Sequence, residues 1–170
     1  MFGIVATVHL ICGFLGAGKT TFARTLAEER SAVRFSVDEL YLQLFADEPT
    51  RELDAEAFDR LLRMLGDIWP QTAKAGVDVV LDFGFWRRAF RDDVRERANR
   101  VGAETRLYWL QCPDDVALAR CLRRNGLPGA FIITAPDYAA LKAGFEPPAP
   151  DEASETVDTA GDSVGEQRPA

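Results

Sequence analysis

The chain has little from which a covalent or metal framework could be made. Its three cysteines, Cys12, Cys112 and Cys121, are odd in number, far apart and free of any C-x-x-C pair. That excludes a disulfide scaffold and gives no zinc site, so the thiols are expected to be reduced. Long apolar runs are missing too: the stretch Phe2–Phe14 is too short to span a bilayer and has no basic segment before it. An excess of positive charge is also absent. Of the net −7, residues 146–170 carry −6, which leaves −1 for the first 145. The body therefore offers no overall basic footprint for duplex nucleic acid. No internal repeat is present.

What remains is an ordinary globular balance, 47% apolar and 28% charged over 170 residues, enough for one domain with a real core. Strand and helix signals alternate, which predicts a layered α/β domain with a mostly parallel sheet. The expected strands are Thr7–Cys12, Ala32–Val37, Val77–Phe83 and Thr105–Gln111. Expected helices begin near Lys19, cover Glu39–Phe45, follow Asp54 to Pro70, and cover Arg87–Val101, Pro113–Arg124 and Pro136–Ala143. Asp54 suits an N-cap, and Pro70 is expected to bend or end its helix. The domain is drawn over 1–146. Residues 147–170, rich in proline and acid, are expected to be a mostly disordered tail, with an edge strand at Thr156–Thr159 left open.

One motif carries most of the chemistry. Gly13-Phe14-Leu15-Gly16-Ala17-Gly18-Lys19-Thr20, followed by Thr21, satisfies G-x-x-x-x-G-K-[ST] between a strand and a helix. Its backbone N–H groups and the following helix N-terminus suit phosphate oxygens. Lys19 adds charge at the β/γ-phosphates, and the Thr20 hydroxyl is the expected magnesium ligand. A nucleoside triphosphate with Mg2+ is what this predicts; the loop alone does not specify the base, and ATP is the expectation because no guanine-reading Asn-Lys-x-Asp occurs.

Asp38 ends the second expected strand, where open α/β sheets place ligands. It either holds and deprotonates an acceptor hydroxyl or caps the next helix. Asp82 ends the most apolar strand, a costly place for an unpaired charge. It either faces the metal or pairs with Arg87 or Arg88. Arg120 and Arg124 share a helix face at i, i+4, with Arg123 beside them. They form either a phosphate-binding lid or a solvated basic face. The charges from Arg87 to Arg100 are expected to be solvated, with Arg91 only a remote acceptor candidate, and His9 is expected to be a core residue. Phe83, Phe85 and Trp86 either wall an acceptor pocket or pack the core.

The loop string alone resembles CobW-type GTPase metallochaperones, but their C-x-C-C and Asn-Lys-x-Asp motifs do not occur here. Residues 7–146 resemble the small AAA_33-like P-loop phosphotransferases: chloramphenicol phosphotransferase, zeta toxins and the kinase domain of phage polynucleotide kinases. The marks are the phosphate loop, Ser36-Val37-Asp38-Glu39-Leu40, Val79-Val80-Leu81-Asp82 and Ala119-Arg120-Cys121-Leu122-Arg123-Arg124-Asn125. The close at Phe145-Glu146-Pro147-Pro148 is similar as well.

That resemblance implies a P-loop NTPase fold of the kinase type, three layers α/β/α around a parallel sheet of four or five strands. It implies an ATP-dependent kinase with Lys19, Asp38, Arg120 and Arg124 as catalytic residues. Residues Gly13 to Thr21, with Arg120 and Arg124, would hold the nucleotide, and Thr20 and Asp82 the metal. The acceptor would be a small molecule entering over Asp38 to Asp54. A cytoplasmic monomer or homodimer follows as the expectation, with a GTPase metallochaperone or a non-transferring ATP-binding module as alternatives.

Overall fold

The computed structural model describes residues 5–45 and 53–161. Five strands form one parallel sheet: β1 Thr7–Cys12, β2 Val33–Ser36, β3 Val79–Gly84, β4 Glu104–Gln111 and β5 Ser154–Asp158. Their order across the sheet is β2-β3-β1-β4-β5. The helices are α1 Lys19–Arg30, α2 Val37–Phe45, α3 Ala55–Lys74, α4 Arg88–Arg100, α5 Asp114–Arg124 and α6 Ala135–Lys142.

Strand periodicity builds the layers, because alternate side chains leave opposite faces of a sheet. Val8, Leu10, Val79, Leu81 and Leu107 pack with Trp69 and Ala73 of α3 and Val94 and Ala98 of α4. On the other face Ile11, Val80, Tyr108 and Leu110 pack with Ala23 and Leu26 of α1. The three layers are therefore α1, the sheet, and α3 with α4. Both faces are covered, which explains why β1 and β3 read as nearly continuous apolar runs.

Two of the alternatives left open fall, and one expectation needs correction. Pro70 does not end its helix: α3 runs on to Lys74, with Trp69 and Ala73 buried on either side of the proline. The packing of this last turn outweighs the hydrogen bond that proline cannot donate. Asp38 is not a cap, since α2 already begins at Val37, and Ser36 Oγ accepts the long 3.5 Å bond from Glu39 N. Asp54 does cap α3, accepting from Glu56 N and Ala57 N.

The correction concerns the chain beyond 146. The expected disorder does not hold through Gly161, where the chain forms a 3-10 turn at Pro150–Glu152 and then β5. Leu107 to Gln111 pair in register with Ser154 to Asp158. Two of the acids in this segment, Asp151 and Glu152, are counterions of α4. Arg91 meets Glu152 through two bonds of 2.8 and 2.7 Å, and Arg88 meets Asp151 through two of 3.0 and 2.7 Å. Arg91 is fully buried rather than part of a solvated face. The remainder of the expected tail, 162–170, lies outside the described residues.

Candidate functional site

The site is assembled at the carboxyl ends of β1, β2 and β3, where the motif sits between β1 and α1. Its curl depends on close backbone approach. Gly16 has φ +74°, and a β-carbon there would lie 2.2 Å from the Ala117 carbonyl oxygen of α5. Gly18 holds α1's N-cap position in the left-handed region, with no side chain capping the helix. The first N–H groups of α1 are thus available to an anion.

Lys19 folds back over the loop and donates from Nζ to the Phe14 carbonyl at 2.9 Å. Burial lowers its pKa, and the charges of Asp82 and Asp38 oppose that shift. Asp82 is 5% exposed. Burial raises its pKa, opposed by Lys19, by a hydrogen bond from the Thr20 hydroxyl and by Arg34. Its ion-pair partner is Arg34 of β2, at 3.5 Å, and not Arg87 or Arg88. Arg34 in turn pairs with Glu39, which also meets Arg24.

A one-residue irregularity in pairing helps to aim Asp82. Leu10 pairs with Leu81 but Cys12 pairs with Gly84, so two β3 residues, Asp82 and Phe83, face Ile11. Such bulges commonly re-aim side chains beside sites. Asp38 lies two residues beyond Ser36, which is in register with Asp82. Its side chain is reachable by water at the start of α2, yet it is recessed among protein atoms. Burial pushes its carboxyl up to about 6, with Lys19 and Arg124 pulling it down and Asp82 pushing it up. Lys19, Thr20, Asp38, Asp82 and Arg124 are therefore all brought together electrostatically.

The two arginines that share a face of α5 part company. Arg124 is exposed and its charge reaches Lys19 and Asp38. Arg120 is buried and holds backbone: it donates to the Thr159 carbonyl at 2.8 Å and the Gly16 carbonyl at 3.4 Å. Thr159 itself, unrecognised in the sequence, shares its hydroxyl proton between the Ala17 and Gln111 carbonyls at 3.1 and 3.0 Å. The phosphate loop is thus pinned from behind by the chain leaving β5. Only the edge-strand reading of Thr156–Thr159 pointed there.

A magnesium ion fits the donor set. Mg2+ ordinarily takes one or two carboxylates, a hydroxyl, phosphate oxygens and water rather than a protein cage. Thr20 and the buried Asp82 could supply the protein share, and no group of three or more acidic, histidine or cysteine side chains suited to a metal occurs among the described residues. A separate cavity of about 530 Å³ lies on the outer flank of the loop, lined by Phe14, Trp109, Ala117, Tyr138, Lys142 and Phe145. Leu15 and Ala17 of the loop line it as well, and it contains none of Lys19, Thr20, Asp38 or Asp82. Residues 46–52 of the expected acceptor segment lie outside the described residues.

A family model described as AAA domain, AAA_33, matches residues 8–148. The chain belongs to this family. No curated protein gives a significant match. Among solved structures, a sugar kinase from a Janibacter species is 24% identical, with a TM-score of 0.61 over 91% of this chain and 85% of that one. A gluconokinase from Sinorhizobium meliloti is 17% identical, with a TM-score of 0.62 over 93% and 85%. Kti12 from Chaetomium thermophilum, in complex with ADP-AlF3, is 17% identical, with a TM-score of 0.65 over 91% and 89%. These AAA_33 similarities establish a three-layer P-loop kinase-like fold with a five-stranded parallel sheet.

Proposed function

We propose that this AAA_33 protein binds ATP with Mg2+ and transfers the γ-phosphoryl group to a hydroxyl of a small acceptor. The observation carrying this reading is the convergence of Asp38 with Lys19, Asp82 and Arg124 at the open end of the phosphate loop. A nucleotide-binding module needs the cradle and a metal partner. It has no need of a second, recessed carboxylate with raised basicity beside them.

In this scheme the N–H groups of residues Gly13 to Thr21 and the start of α1 hold the phosphates, and Lys19 neutralises the β/γ oxygens. Thr20 and Asp82 would hold the magnesium ion, which supplies charge neutralisation on the phosphates when bound. Asp38 orients the acceptor hydroxyl and takes its proton on a carboxylate oxygen. With its carboxyl near 6 it is mostly ionised at neutral pH yet more basic than an ordinary aspartate. Arg124 donates to phosphoryl oxygens from the lid side, where charge develops. Arg120 acts on the same nucleotide by holding the loop and Thr159 in place.

A near-neutral body favours a small acceptor over a polynucleotide, and the sugar kinase and gluconokinase neighbours support a hydroxylated one. Reduced thiols suit a cytoplasmic setting. No described helix is long and apolar enough to cross a membrane. The test is ADP release from Mg-ATP across a panel of hydroxyl compounds, with the products identified by mass spectrometry. Acceptor-dependent ADP release is expected. Binding of ATP without release on any acceptor would leave only a nucleotide-binding module. A tenfold preference for GTP, about 1.4 kcal/mol, would favour the metallochaperone reading.

A further inference from the structure

The chain leaves β3 through two successive left-handed residues, Gly84 at φ +78° and Phe85 at φ +51°. A buried phenylalanine rarely adopts this conformation, and it persists only where surrounding contacts enforce it. Here they do. The Phe85 carbonyl accepts from Arg91 Nη1 at 2.9 Å and from Cys12 Sγ at 3.3 Å. Arg91 is itself fixed by Glu152, and the Phe85 ring stacks on Phe90. The next carbonyl, that of Trp86, accepts from Glu146 N at 2.8 Å.

The effect of this turn is to fold Trp86 back over Gly84. The point that a β-carbon on Gly84 would occupy lies 3.1 Å from Trp86 Nε1 and 4.0 Å from Lys19 Cε. Glycine is required here both by φ and by the indole. The ring rests against Phe14 of the phosphate loop, with centroids 5.0 Å apart. Its N–H, a donor only, has no acceptor among the described residues, and the side chain is half-buried. A strained turn, locked from three sides, thus delivers an unengaged donor beside the lysine of the cradle.

We propose that the Trp86 indole N–H donates a hydrogen bond to an oxygen of the nucleotide's terminal phosphoryl group, making Trp86 a determinant of triphosphate over diphosphate. This rests on the nucleotide-binding reading above. Trp86→Phe keeps the ring against Phe14 and removes the N–H. Calorimetric titration of the full chain with Mg-ATP and with Mg-ADP, without acceptor, should show ATP affinity falling about tenfold, the scale of a bond to a charged group. ADP affinity should not change. Equal affinities in wild type and variant for both nucleotides would overturn the inference while leaving the cradle intact. So would unchanged nucleotide affinity with a raised acceptor KM, which would assign the N–H to the acceptor. A wild-type protein that binds neither nucleotide would remove the underlying reading as well.

A second measurement does not depend on the variant's folding. In the 15N-labelled wild type, the indole resonances can be assigned with Trp69→Phe and Trp109→Phe. The Trp86 signal should move on adding ATP and stay in place on adding ADP. The same response to both, or to neither, would refute the proposal.

Discussion

The proposed phosphate and acceptor sides of the site are built by opposite means. The phosphate side is backbone: eight contiguous residues supply the curl and α1 supplies its N-terminus, and Arg120 and Thr159 brace it through carbonyls. The proposed acceptor side is side chain and charge: Asp38 and Glu39 of α2 and Arg34 of β2, set beside Asp82 of β3 and Arg124 of α5. A backbone cradle has one function and tolerates many neighbours. A charged cluster can be retuned by single substitutions, and it is there that one fold can change acceptors.

The comparison is sharpest when one side is broken and the other is left alone. Lys19→Ala should have the largest effect, with ATP affinity and turnover both collapsing in calorimetry and ADP-release assays. Unchanged values for both would remove the cradle assignment. Asp38→Asn should do the reverse of a cradle lesion. Nucleotide affinity and melting temperature should hold, while single-turnover transfer falls about 10²–10⁴-fold, the worth of general-base assistance.

The pH dependence of transfer follows from the same group. With the Asp38 carboxyl raised to about 6, the base is protonated below that pH and ionised above it. Transfer should therefore rise with pH through about 6 and flatten towards neutrality. A rate that is flat from pH 5 to 7 would exclude Asp38 as the base.

Arg91→Ala acts on neither side directly but on the buried pair with Glu152 that holds the turn after β3. Removing one partner of a buried pair costs about 3–5 kcal/mol, and the lower end applies because Arg95 and Ala149 N still reach Glu152. At about 2–4 °C per kcal/mol for a chain of this size, melting should drop by roughly 10 °C. Arg91 and Arg95 hold the Glu152 carboxyl down near 2, below its ordinary 4.5. The stability this pair contributes is present above 4.5 and lost as pH falls through about 2. Thr159→Val is the smallest lesion. Losing its bond to the Ala17 carbonyl should weaken ATP binding about fivefold, the scale of one neutral hydrogen bond, with little change in melting. Equal ATP affinity in the variant would make Thr159 a strand-end residue only.

Much of the fold was legible because its signals are local. Short, nearly continuous apolar runs, Asp54 before a helical stripe and the glycine-lysine string each report on a few neighbouring residues. The expected helix limits fall within one or two residues of the observed ones except at Pro70, where packing of Trp69 and Ala73 overrides a local breaker. Composition misled beyond residue 146 for a related reason. Acid-rich sequence looks solvated until its counterions are known, and Arg88, Arg91 and Arg95 lie some 60 residues away. The same distance hid the different lives of Arg120 and Arg124, which a helical wheel places on one face.

The sequence by itself determined the cradle, the parallel α/β layering and the placing of Asp82 and Asp38 near the carboxyl ends of β3 and β2, since each is a property of contiguous residues and their period. Only the tertiary structure decided that Arg34 and not Arg87 or Arg88 meets Asp82, that Thr159 braces Ala17, and that Arg91 locks the turn presenting Trp86. Those contacts join residues 6 to 142 apart through the pairing of strands distant in sequence, and strand order is set by which faces bury together. No local pattern encodes that choice, because it is the whole core that makes it.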